Sequence, residues 1–117
     1  MPNNRFTIKQ GATGAVLVAT LSDENGEVDL TDFSAVTMTA LSERSETPAI
    51  DAEPCVIDPD QETNPGVVRF NFDSDTANIA VGEYLIEFRA TNASGVHIFP
   101  TGGMSEYGRL AVTAPLV

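Results

Sequence analysis

Apolar and polar residues alternate with period two along most of the chain, and β-branched and aromatic side chains fill many of the apolar positions. That period marks strands with one buried face. It is plainest at residues 67–72, where Val68, Phe70 and Phe72 share one face and Arg69 and Asn71 the other. It recurs at 83–91, with Tyr84, Ile86, Phe88 and Ala90 opposing Leu85, Glu87, Arg89 and Thr91. Residues 35–41 set Val36, Met38 and Ala40 against Thr37 and Thr39. Further strands are expected at 5–9, 96–100 and 109–113. No window of about 11 residues keeps an apolar stripe at helical spacing, so long helices are not expected.

Two segments depart from simple alternation. Residues 15–22 place Leu17, Ala19 and Leu21 on one face and Val16, Val18 and Thr20 on the other. Both faces are fairly apolar, so this strand is either central or covered on its outer side, by a partner or by the same chain. Residues 49–57 are interrupted by Pro54, which has no N–H for a ladder, so this strand belongs at a sheet edge.

Turn chemistry separates the strands. Asp23-Glu24-Asn25-Gly26-Glu27 reads as a tight hairpin, because Asn-Gly tolerates positive φ. Residues 30–33 are expected to fold over one end of the core, and 42–48 and 58–66 to form exposed loops. One helical turn is expected at 77–80, capped by Ser74 or Asp75. About seven to eight short strands at this spacing indicate a β-sandwich. Gly82 and Tyr84 open a late strand, in the manner of the tyrosine corner of immunoglobulin-like sandwiches. A plain core tyrosine is the alternative, and the partner of the hydroxyl decides between them. The expected fold is an all-β, immunoglobulin-like sandwich of antiparallel strands. It forms a single domain over residues 5–114, with short tails at 1–4 and 115–117.

Charge narrows the functional classes. The 117 residues hold 17 acidic and 6 basic side chains, a net charge of -11. Nucleic-acid and anionic-membrane partners are not expected, since both need a basic face. No apolar run approaches the roughly 20 residues that span a bilayer, and residues 1–5 lack the apolar core of a secretion signal. Cys55 is the only cysteine, which leaves no internal disulfide and no thiolate zinc site.

Residues that carry chemistry are sparse. His97 is the only histidine, and a structural or solvated role is expected for it. Cys55 is expected to be a buried small apolar residue. Asp58, Asp60 and Glu62, like Asp23, Asn25 and Glu27, have a spacing that can offer oxygens to calcium. With 17 acids in 117 residues such clusters arise by chance, so solvated acidic loops are expected and no metal site. Asp73 and Asp75 could pair as the carboxylates of a glycosidase, but they sit at a strand end, where loops also need solvated ends and helix caps. No catalytic residues and no cofactor are expected, and the protein is not expected to be an enzyme.

The stretches Phe6-Thr-Ile-Lys-Gln-Gly11-Ala-Thr-Gly14, Val28-Asp-Leu30-Thr31, Gly66-Val-Val-Arg-Phe70 and Gly82-Glu-Tyr84-Leu-Ile-Glu-Phe88 form part of a wider pattern. Phe99-Pro100-Thr101 leading to Leu110-Ala-Val112-Thr113 completes it. It resembles the immunoglobulin-like domain at the N-terminus of bacteriophage baseplate upper proteins. It is also similar to small stand-alone phage structural proteins with that domain. The resemblance implies a non-enzymatic virion component, most simply of the tail or baseplate, whose partners are other virion proteins. It also implies a trimer or ring in the particle. Capsid decoration or a head fibre is an alternative position. A carbohydrate-binding or adhesion module is a rival class, disfavoured by the lack of tryptophan. The candidate protein-contact loop lies in residues 101–108. Gly102 and Gly103 allow reshaping there, and Met104 and Tyr107 supply anchors.

Overall fold

The computed structural model describes residues 5–23, 25–42, 46–99 and 108–116. Within them lie ten strands and no helix. The strands are β1 (Arg5–Lys9), β2 (Val16–Thr20), β3 (Ser22–Asp23), β4 (Gly26–Glu27), β5 (Ala35–Ser42), β6 (Ile50–Ile57), β7 (Val67–Asn71), β8 (Gly82–Asn92), β9 (Gly95–Phe99) and β10 (Gly108–Thr113). Eight make up the sandwich, and β3 and β4 form a separate two-residue hairpin at the expected Asn25-Gly26 turn. Gly26 has φ 109° there.

One sheet runs β1-β10-β8-β5-β6, and the other runs β6-β7-β2. β6 belongs to both. Cys55 and Pro54 pair with Val36 and Thr37 of β5, while Val56 and Ile57 pair with Arg69 and Val68 of β7. β6 as a whole therefore lies between two strands, not at the outside of a sheet. At Pro54, however, it has a ladder partner on the β5 side only, which is the local edge its missing N–H requires. A bulge near Ala52, with φ 50°, offsets the register with β5 between Met38 and Ala40.

The strands are not all antiparallel. β1 runs parallel to β10, with Phe6 opposite Leu110 and Ile8 opposite Val112. β1 takes the open edge of β10 and then passes the chain to β2 in the other sheet, and that handover sets its direction. Gln10 extends the ladder by donating to the Thr113 carbonyl at 2.8 Å.

The expected helical turn is shifted towards the N-terminus. Ala77 N–H donates to the Asp73 carbonyl at 2.9 Å. The cap is Asp73, not Ser74 or Asp75. Its Oδ1 accepts from the N–H groups of Asp75 and Thr76, while its own N–H donates to the Thr76 hydroxyl. This is the reciprocal bonding of a capping box, and it needs the cap three residues before Thr76.

The core lies between the sheets. Val36, Met38, Val68, Leu110 and Val112 are fully buried from the strands, and Leu30 closes one end. Each such side chain contributes about 1.5–3 kcal/mol by leaving water. Phe70 meets Phe72 edge-on at 4.9 Å, and Phe72 stacks on Phe6 at 6.3 Å. The Tyr84 hydroxyl donates to the Ala80 carbonyl. That bond is the tyrosine corner, so Tyr84 is more than a core side chain. The fold is an immunoglobulin-like β-sandwich.

Candidate functional site

The candidate contact residues Gly102, Gly103, Met104 and Tyr107 lie outside the described residues. The structure does describe how their segment is anchored. One side of β8 pairs with β5 from Tyr84 to Thr91. Its other side is shared by two strands: Phe88 to Asn92 pair with β9, and Gly82 to Ile86 with β10. Phe99 stands opposite Phe88, and Gly108 opposite Ile86. The chain thus leaves the edge of β8 and returns to it two positions further along. Buried Phe99 and Leu110 hold the two ends.

The outer face of the second sheet is apolar in its middle. Val18, Arg69 and Val56 stand in one row across β2, β7 and β6. Val16, Val18 and Val56 are 40%, 56% and 51% exposed, so no part of the described chain covers the second face of β2. On the first sheet, Val96 and Ile98 of β9 are exposed as well.

The acidic stretch at 58–62 is only in part the solvated loop expected: Asp60 and Glu62 are exposed, whereas Asp58 and Gln61 are not. Asp58 is buried, and its Oδ2 receives a 2.8 Å bond from Arg69 Nη1. Its Oδ1 accepts the Asp60 N–H at 2.8 Å. The Asp60 N–H, followed by the Arg69 guanidinium, holds the Asp58 carboxyl below the usual carboxylate range. Beside it, Gln61 is also buried. Its Oε1 accepts the N–H groups of Leu30 and Gly66, both at 2.9 Å, and its Nε2 donates to the Asp58 carbonyl at 2.8 Å. Sequence reading missed this clamp because every-second-residue spacing presumes an extended chain, whereas residues 60–64 form a turn closed by Asn64 N–H on the Asp60 carbonyl. The only sequence signal was Gly66, whose φ of 80° marks a chain reversal. In the second acidic stretch, Asp23 Oδ1 accepts the Asn25 N–H, an Asx turn within the hairpin.

The remaining singled-out residues are spread across the fold. His97 is exposed, 3.2 Å from Asn92 Oδ1 and edge-on to Phe33 at 5.5 Å. Cys55 is half-buried and packs beside the core, less enclosed than expected because it lies where β6 changes sheets. Burial pushes its thiol up to about 12. Asp73 is held low by the N–H and then the hydroxyl of Thr76, so its charge serves the cap. A shallow groove of about 380 Å³ flanks the tyrosine corner, between Thr47 and Ala49 on one side and Ile79 and Val81 on the other. Among the described residues, no three acidic, histidine or cysteine side chains converge as a cation site. No protein-family model matches the chain, and no curated protein matches it.

Proposed function

We propose that the protein is a non-enzymatic structural component of a bacteriophage particle, of its tail or baseplate, acting through contacts with other virion proteins. The sequence resemblance over residues 5–114 supports this reading. The observation that carries it is the interrupted strand beside β8. Residues 100–107 are not needed to join two distant elements, since Phe99 and Gly108 stand opposite Phe88 and Ile86. The described residues on either side, Phe99 and Leu110, are buried in the core, which gives a contact segment between them fixed ends. The net charge of -11 suits a neighbour with a basic face.

The test is gold labelling of a C-terminal tag on purified particles, viewed by electron microscopy. Label at the tail or baseplate is the expected result. Label on the head would move the protein to capsid decoration, and particles without label would overturn the virion reading.

A further inference from the structure

Among the described residues the outer edge of β2 is open, and β2 carries none of the features that keep sheet edges apart. The Ala15 carbonyl accepts from Phe72 and the Leu21 N–H donates to Gly66. Leu17 and Ala19 stand opposite Phe70 and Val68 in the same phase. In an antiparallel pair the intervening residues turn their N–H and C=O groups the other way. Val16, Val18 and Thr20 therefore direct theirs to the outer edge, where no described residue pairs with them. The same two valines are exposed on the outer sheet face, in line with Val56.

Two borders of the first sheet do carry such features, although the outer edge of β9 does not. Where β6 borders the first sheet it carries Asp51, Glu53, Pro54 and the Ala52 bulge. β1, the other border of that sheet, ends on Lys9. Charge, proline and bulges are the usual defences against strand addition. Residues 11–22 contain no ionisable side chain, in a chain of net charge -11.

We propose that β2 is a self-association edge, pairing antiparallel with β2 of a second copy about a two-fold axis at Val18. This register sets Val18 opposite Val18 and Val16 opposite Thr20, all in hydrogen-bonding phase, and lays the two valine stripes side by side. Charge selects a second copy as the occupant. Two acidic chains approach with least repulsion along an uncharged edge, and a basic partner finds no carboxylate there to pair with. The proposal stands whether or not the protein belongs to a virion.

Sedimentation velocity between about 10 μM and about 1 mM, the range of weak specific association, tests it. A monomer–dimer shift is expected. It should strengthen as salt rises from about 0.1 to about 1 M, because screening removes the repulsion between acidic subunits. Val18→Lys places two cations on the axis and should weaken the dimer at least roughly tenfold. Val96→Lys, the same change on β9, should leave it intact. A monomer throughout the range overturns the proposal, as does a dimer indifferent to Val18→Lys or one weakened by salt. Hydrogen exchange on the unaltered protein decides without any variant. The amides of Val16, Val18 and Thr20 should gain protection with concentration while those of Val96 and Ile98 do not, and absence of that difference overturns the proposal.

Discussion

The hydroxyl of Tyr84 donates to the backbone carbonyl of Ala80, four residues upstream, at 2.5 Å. The bond ties the turn that enters β8 to the strand itself. Burial pushes the phenol above its ordinary value, so it remains a donor at any ordinary pH. Tyr84→Phe keeps the buried ring and deletes the donor. The expected loss is about 1 kcal/mol, read as a lower urea midpoint at unchanged slope. A midpoint within error of the parent would show that the corner bond adds nothing to stability.

Gln61 and Gly66 fasten the long 58–66 loop to the opposite end of the core. Gln61→Ala strands the N–H groups of Leu30 and Gly66 away from water. Each orphaned donor costs about 1–3 kcal/mol, so a total loss of about 2–6 kcal/mol is expected. Gly66→Ala should cost about 3 kcal/mol or more. Its Cβ would stand 2.5 Å from the Leu21 carbonyl oxygen, at a φ of 80°. Chemical denaturation of the two variants checks both values. If Gly66→Ala cost less than about 1 kcal/mol, the close approach at Leu21 would be wrong.

The strands were readable because their buried faces alternate. Val68, Phe70 and Phe72, and Tyr84 through Ala90, fall where period two puts them. What escaped depended on partners distant in sequence. The parallel pairing of β1 follows from the open edge of β10, about a hundred residues away, and nothing in Arg5–Lys9 encodes it. The two-sheet path of β6 left a trace only in Pro54. At the site, the apolar outer stripe of Val16 and Val18 was visible in the pattern, and only the structure shows that the described chain leaves it uncovered. The burial of Asp58 and Gln61 was hidden, because a polar stretch holding two prolines reads as a solvated loop. Their partners are Arg69, Leu30 and Gly66, which only the folded chain brings near.

The Asp58 carboxyl is held low by the Asp60 N–H and the Arg69 guanidinium, so it links stability to pH. The unfolded chain takes up this proton first, near the ordinary value of 3.8. The contribution is therefore complete at neutral pH. It declines once pH falls below about 5, through the unfolded value towards the lowered folded one. Protonation of other acids acts oppositely, by relieving the self-repulsion of a net charge of -11. The informative quantity is thus the difference between the parent and Asp58→Asn. Thermal midpoints from pH 7 to pH 3 should show the parent ahead at neutral pH and the gap closing as the solution is acidified. A gap that widens on acidification would contradict the assignment.

Cys55 offers a probe of the place where β6 changes sheets. Burial raises its thiol from 9.0 to about 12, and the thiolate is the species that reacts. A rise of that size lowers the thiolate fraction near neutral pH roughly a thousandfold. Alkylation by iodoacetamide should accordingly be about 100- to 1,000-fold slower in the folded protein than in the urea-unfolded chain. Its folded-state rate should still be climbing at pH 10, since the ionisation lies higher. A rate that levels off near pH 9 would mean that the thiol at the sheet crossover stands in water.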